Sequence, residues 1–174
     1  MKKIITIAFA LLIVILISKS KVTEEIVIPN ESIRIRVIAN SNSSSDQKTK
    51  QKVRKAVQVQ LGDILKDAKN IDDVRAILKN KLPDVEYTVK KTLDTKNNKF
   101  NVNYGYNYFP QKTYKGINYD EGYYESVVIT LGEAKGENWW CVLFPPLCLM
   151  DEDEENIEEV EYKSFIKEII DKYF

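Results

Sequence analysis

The chain of 174 residues contains no histidine. It therefore lacks the base that serine and cysteine nucleophiles commonly use, and every histidine-bearing zinc site is excluded. The two cysteines, Cys141 and Cys148, are too few for a closed four-cysteine zinc site. The six glycines show no phosphate-loop spacing. These absences predict a protein that is not an enzyme and that holds neither a metal nor a cofactor.

The chain also has no excess of positive or negative charge, because 26 basic residues balance 26 acidic ones. Nucleic-acid binding needs a basic field, so we expect no nucleic-acid partner. The many carboxylates leave one catalytic alternative open, since glycosidases need only a pair of acidic side chains.

The amino terminus is a candidate export segment. Lys2 and Lys3 precede an apolar run from Ile4 to Ile17. A helix over this run would span about 21 Å, less than the roughly 30 Å hydrocarbon core of a bilayer. This pattern is typical of a signal peptide, but no A-x-A site precedes Lys21. Residues 1–20 are therefore predicted to be a signal peptide or, if uncleaved, a membrane anchor that acts through residues 4–17.

The remainder is predicted to form an extended linker, 21–31, followed by a single domain over 32–174. Ile33, Ile35 and Val37 alternate with Arg34 and Arg36, which predicts a strand with one buried side. Apolar residues at helical spacing from about Asp46 predict a first helix. Asn70 is expected to cap a second helix, which Pro83 is expected to end.

The second half is rich in strand patterns. Alternation at Val85, Tyr87 and Val89, then over 100–108, predicts an antiparallel hairpin, and 123–132 is another strand. A final helix is expected over 156–174. The predicted class is α+β, with a mostly antiparallel sheet of about four to five strands packed with two to three helices, preceded by the signal or anchor helix.

The segment "GENWWCVLFPPLC" holds both tryptophans and both cysteines. Neighbouring residues of a strand point to opposite faces, so either both faces are covered or one indole, of Trp139 or Trp140, lies at the surface. A Cys141–Cys148 bond requires the chain to reverse, which Pro145-Pro146 would favour. Because an exported chain retains such bonds, we predict this disulfide.

The stretches "IPNESIRIRVIANSNSSSDQ" and "GEAKGENWWCVLFPPLC" resemble the stage II sporulation protein R family of endospore-forming bacteria. The resemblance implies a protein that is made in the forespore and secreted into the space between forespore and mother cell, or tethered to that membrane. It further implies activation of a membrane-embedded aspartic protease of the mother cell, which removes the pro-sequence of sporulation sigma factor E. The family supplies no catalytic residues to transfer.

We expect such a protein to act by docking on the protease. The residues predicted to bind this partner are Arg34, Arg36, Trp139, Trp140, Phe144, Pro145 and Pro146. Two alternatives remain open: a septal cell-wall hydrolase that uses paired carboxylates, and a structural protein anchored in the septum.

Overall fold

A computed structural model describes residues 26, 28–93, 99–114, 117–147 and 159–173. The predicted export segment, part of the predicted linker and Cys148 lie outside these ranges. The elements follow in the order β1 (Ile33–Ile38), α1 (Ser44–Leu65), α2 (Ile71–Leu93), β2 (Phe100–Phe109), β3 (Lys112–Tyr114), β4 (Ile117–Tyr119), β5 (Gly122–Leu131), β6 (Asn138–Phe144) and α3 (Glu159–Tyr173).

Four strands form the main sheet in the order β2-β5-β1-β6. β5 pairs antiparallel with β2 and parallel with β1, while β6 pairs antiparallel with β1. The short strands β3 and β4 make a separate antiparallel ribbon. The predicted α+β class and the mostly antiparallel sheet are confirmed.

The main sheet is covered on both faces. On one face, Ile33, Ile35 and Val37 belong to a core that includes the buried residues of α1 and α2. On the other face, a second core contains Trp140 of β6 and Ile166 of α3, together with residues of β4 and β5. The prediction that β1 has one buried side is therefore wrong. The second core forms from elements far along the chain, which the local pattern of β1 does not reveal.

The second helix begins as predicted but does not end at Pro83. The side-chain oxygen of Asn70 accepts a hydrogen bond from the backbone of Asp73 at 2.9 Å, which confirms the cap. The helix then continues through Pro83 to Leu93. Its buried residues recur at intervals of four or seven positions, which is helical spacing: Val74, Leu78, Val85, Val89 and Leu93.

The predicted strand at Val85, Tyr87 and Val89, and its hairpin with 100–108, are therefore wrong. Burial of each valine or leucine contributes about 1.5–3 kcal/mol, and several such side chains outweigh the cost of about 3 kcal/mol for an internal proline. β2 pairs with β5 instead, from Phe100 opposite Leu131 to Phe109 opposite Gly122.

The other helices follow the predictions more closely. α1 is capped by Ser43, whose hydroxyl accepts from the backbone of Asp46 at 3.1 Å. α3 turns Tyr162 and Ile166 into the second core. The predicted start of this helix, before Glu159, lies outside the described ranges. Among the described residues, no helix has both the length and the apolar character needed to cross a membrane.

Candidate functional site

The two sequence motifs meet at one end of the sheet, in a contact that we call the Asn40 junction (residues 39–46 and 132–137). The side-chain oxygen of Asn40 accepts a hydrogen bond from the backbone N–H of Glu133 at 2.8 Å. Asn42 accepts in the same way from Glu137 at 2.6 Å. The backbone adds a bond from Gly136 to Ala39 at 2.9 Å. Further backbone bonds run from Lys135 to Asn40 and from Ala39 to Glu137. Two segments distant in sequence are thus held together by asparagine side chains and by the backbone.

Asp46 completes the junction from the first turn of α1. Its carboxylate accepts from the Ser41 hydroxyl at 2.5 Å and from the Asn40 amide at 2.9 Å. These bonds, that of Ser41 first, lower the pKa of Asp46 because they favour its ionised form. The buried ammonium of Lys50 donates to the carbonyl of Glu137 at 3.2 Å. Charged and amide groups of the junction are partnered with one another, as in a structural joint.

Two glycines of the second motif are required by this joint. Gly132 has a φ of +57°, in the left-handed region that favours glycine. A Cβ at Gly136 would lie 2.3 Å from the carbonyl oxygen of Ser41, which is far too close. The motif "GEAKGEN" is therefore explained by the close approach of two backbone segments.

Arg34 lies in an aromatic cage in the second core. Its guanidinium carbon is 3.3 Å from the centre of the Tyr124 ring, 5.3 Å from that of Trp140 and 5.5 Å from that of Phe109. The side chain is buried, with 1% of its surface exposed. Burial lowers the pKa of Arg34. Its Nε and Nη1 atoms have no hydrogen-bond partner.

Trp140 forms a wall of this cage and is itself 8% exposed. Its ring makes edge-to-face contacts with Tyr119 at 4.9 Å and with Phe109 at 5.7 Å. Phe144 and Pro145 are also buried. The structure therefore places four of the predicted contact residues inside the protein: Arg34, Trp140, Phe144 and Pro145. A partner does not reach them in this conformation.

The other predicted contact residues are partly exposed. Trp139 packs its ring under the guanidinium of Arg54 at 4.8 Å, on the face opposite to Trp140. Arg36 donates a hydrogen bond to the backbone carbonyl of Tyr108 at 3.3 Å. It also donates to the side-chain oxygen of Asn138 at 2.7 Å when the amide group of Asn138 is turned so that its oxygen faces Arg36. For Arg36, Trp139 and Pro146 the contact role stays a prediction. So does the disulfide, since Cys148 lies outside the described ranges.

An exposed aromatic surface on β2 and β5 was not predicted from the sequence. We call it the tyrosine patch: Tyr106, Tyr108 and Tyr123, which are 72%, 47% and 73% exposed. Tyr108 and Tyr123 are cross-strand partners of β2 and β5, with their ring centres 5.6 Å apart. The Tyr108 hydroxyl donates to Glu121 at 2.7 Å, which raises the pKa of Tyr108. Strand alternation predicts which tyrosines share a face, but not whether another element covers that face.

The patch lies beside the start of α2, at the edge of the part of β2 and β5 that this helix covers. Glu125, which is opposite Tyr106 in the β2–β5 pairing, forms an ion pair of 2.9 Å with Arg75 near the start of α2. It also accepts from the Tyr104 hydroxyl. Burial and this bond raise the pKa of Tyr104. Tyr104 is thus held under the helix, whereas Tyr106, one step along the same face, is open to solvent.

The described part of the chain contains no group of three or more histidine, cysteine or acidic side chains that could hold a metal ion. The Asn40 junction is built from asparagine, serine, aspartate and backbone groups that are hydrogen-bonded to one another. The aromatic cage is built from Arg34 and the rings around it.

Comparison with known proteins gives the same family as the motifs. The model of the family described as Stage II sporulation protein R matches residues 29–154. Stage II sporulation protein R of Bacillus subtilis (strain 168) is 37% identical over 152 residues, which cover 86% of this chain and 68% of that protein. No solved structure matches the chain. The chain therefore belongs to the stage II sporulation protein R family.

Proposed function

We propose that this protein is an exported sporulation signal that activates a membrane-embedded aspartic protease of the mother cell. The protease would then remove the pro-sequence of sporulation sigma factor E. The observation that carries the proposal is the family match, which extends over residues 29–154 and includes both motifs of the Asn40 junction. The absence of histidine from the whole sequence supports action by binding rather than by catalysis.

Secretion is the second part of the proposal. The basic and then apolar pattern of residues 1–17 supports transport across the forespore membrane. The folded domain would act in the space between forespore and mother cell, either free or tethered through residues 4–17. The receptor surface must then lie on the part of the protease that faces this space.

The tyrosine patch is the contact surface that we propose for the protease. Tyrosine provides a large contact area with few rotatable bonds, and it is enriched where proteins bind each other. The patch is bordered by the carboxylates of Glu121 and, beneath it, Glu125. Charge complementarity therefore favours an apolar receptor segment that carries a lysine or arginine opposite Glu121.

Activation follows if the receptor has an inactive and an active state. A ligand shifts such an equilibrium only as far as it binds one state more tightly than the other. The pairing of β2 with β5 supports this role, because it holds Tyr106, Tyr108 and Tyr123 in place and a preorganised surface loses little conformational entropy on binding.

The direct test adds the purified exported protein to cells that carry the protease and its pro-sigma substrate. Processing is then scored on a gel. We expect the shorter sigma factor to appear only with both the added protein and the protease. Cleavage of purified peptidoglycan by the protein alone would instead establish the hydrolase alternative. A requirement for an uncleaved residue 4–17 segment, tested with a cleavable signal in its place, would establish the structural anchor.

A further inference from the structure

β2 is an open edge of the main sheet. It stands at one end of the strand order β2-β5-β1-β6 and pairs with β5 alone among the described strands. Half of the backbone N–H and C=O groups of such a strand point away from its neighbour and have no ladder partner. Only Val102 and Phe109 of its ten residues are buried, and nothing lies within 4 Å of the position where Gly105 would carry a Cβ. The described part of the chain therefore provides no strand for the outer edge of β2.

This edge lacks the features by which proteins keep open strands from pairing. Such edges are commonly short, charged, interrupted by proline or bent by a bulge. β2 extends over ten residues, and the stretch 100–109 contains neither a charged residue nor a proline. Its pairing with β5 runs from Phe100 to Phe109 in one continuous register. A long, regular and uncharged edge of this kind is a template for pairing with another chain.

The sequence of β2 fits a second copy of itself. Residues that lie directly opposite each other in an antiparallel pair share a face of the sheet. One face of β2 carries Phe100, Val102, Tyr104, Tyr106 and Tyr108, and the other carries Asn101, Asn103, Gly105, Asn107 and Phe109. Self-pairing therefore places aromatic rings beside aromatic rings on one face and amides beside amides on the other, and both kinds of cross-strand pair are favourable. Like charges do not meet, because β2 has no charged residue.

We infer that β2 is a dimerisation strand, through which two copies of the chain pair antiparallel and edge to edge. The two four-stranded sheets then form one sheet of eight strands around a two-fold axis. Each copy contributes the same strand, so the contact closes and does not extend into a filament. Ten residues a side are fewer than the roughly 20–30 of a standard interface, so we expect a dissociation constant in the micromolar range. The inference does not depend on the protease role, because it is defined by the backbone edge of β2.

Sedimentation velocity of the purified exported protein, without the protease, tests the association. We expect monomers at low micromolar concentration and dimers at hundreds of micromolar, with a single step between them. Monomers at every concentration would overturn self-pairing and would leave the edge of β2 to a strand of another protein. Species larger than a dimer would overturn the closed two-fold contact.

Amide hydrogen exchange locates the contact. The N–H groups of β2 that bond to β5 should exchange slowly at every concentration, whereas those that point away from β5 should become protected only as dimers form. Protection should therefore rise with concentration at every second residue of 100–109. Dimers that form without this rise would show that another surface associates, and the inference would be wrong.

Two lysine variants supply a matched comparison. Asn103 is exposed on β2, and Asn103→Lys would bring two like charges near the middle of the strand pair. We expect a melting temperature close to that of the wild type and dimers about tenfold weaker, because a symmetric contact carries the change twice. Asn80→Lys makes the same exchange at an exposed position of α2 and should dimerise like the wild type. Equal dimerisation of the two variants would overturn the role of β2.

Discussion

The side-chain oxygen of Asn40 accepts a hydrogen bond of 2.8 Å from the backbone N–H of Glu133, 93 positions later in the chain. The same amide donates to Asp46. One side chain therefore connects the end of β1, the turn after β5 and the start of α1. This contact joins the two sequence motifs that resemble those of the family.

Asn40→Ala should destabilise the fold by about 2 kcal/mol, because it leaves the Glu133 N–H without its acceptor and removes a donor from Asp46. Chemical denaturation of the exported protein measures the change. Asn101→Ala, at an exposed position of β2, is the control and should change stability by no more than about 0.5 kcal/mol. Equal stability of the two variants would show that the junction does not hold the fold together.

The glycines provide a matched pair. Gly136→Ala places a Cβ 2.3 Å from a backbone oxygen and should cost about 3 kcal/mol, because the two backbone segments are hydrogen-bonded to each other beside it. Gly105→Ala meets nothing within 4 Å and should leave stability unchanged or raise it by up to about 1 kcal/mol. Thermal unfolding of both variants checks the prediction. Similar losses in the two would contradict the close approach at Gly136.

Asp46 should make stability depend on acid pH. The pKa of Asp46 in the folded state lies below its value in the unfolded state, which is about 3.9. The stability that ionised Asp46 contributes is therefore fully present above the unfolded-state pKa, and it is lost as the pH falls through the folded-state pKa. Asp46→Asn should therefore be less stable than the wild type at pH 6, with the gap closing below pH 4. Urea midpoints at several pH values measure this. A gap that stays constant with pH would mean that the charge of Asp46 contributes nothing.

The predicted disulfide can be checked by mass. The exported protein, handled without reductant, should be lighter by two hydrogens than its reduced form and should resist alkylation. Replacing Cys141 or Cys148 with serine should lower stability by about 2–3 kcal/mol in the loop-entropy model. Two freely alkylated thiols in the exported protein would contradict the pairing.

Local chemistry in the sequence predicted the start of the second helix and, to within two residues, that of the first. Ser43 and Asn70 act as caps through bonds to residues three positions away, and such short-range contacts can be read from spacing. Pro83 misled the prediction because its local effect is weaker than the burial of Val85 and Val89 against a sheet formed elsewhere in the chain. A helix-breaking residue therefore does not outweigh an apolar stripe that continues at helical spacing.

The other wrong predictions concern which side chains are exposed, and this depends on elements that are distant in the sequence. Arg34 and Trp140 were predicted at a contact surface on the basis of charge and residue type, yet the second core encloses both. Tyr106 and Tyr123 lie on strands that the sequence did predict, but their exposure depends on where α2 stops covering the sheet. The alternation of residues along a strand predicts which side chains share a face of the sheet. Which of the two faces is exposed to solvent depends on the helices that pack on the sheet.

Substitution of the buried Trp140 should affect stability, unlike substitution of the exposed tyrosines of the tyrosine patch. Trp140→Ala should destabilise the protein by about 3–5 kcal/mol, because it removes a wall of the cage around Arg34. Denaturant titration measures this loss. Any loss of signalling in Trp140→Ala should then parallel the loss of folded protein. Full stability of this variant would show that the cage is not part of the core.

The decisive measurement is sigma-factor processing triggered by the double variant Tyr106→Ala, Tyr123→Ala. Because both side chains are exposed, the variant should unfold at the wild-type denaturant concentration, yet trigger processing at least about tenfold less well. Tyr87→Ala, on the exposed face of α2 and outside the patch, is the matched control and should signal like the wild type. Normal processing by the double variant, or an equal loss in Tyr87→Ala, would contradict docking through the tyrosine patch.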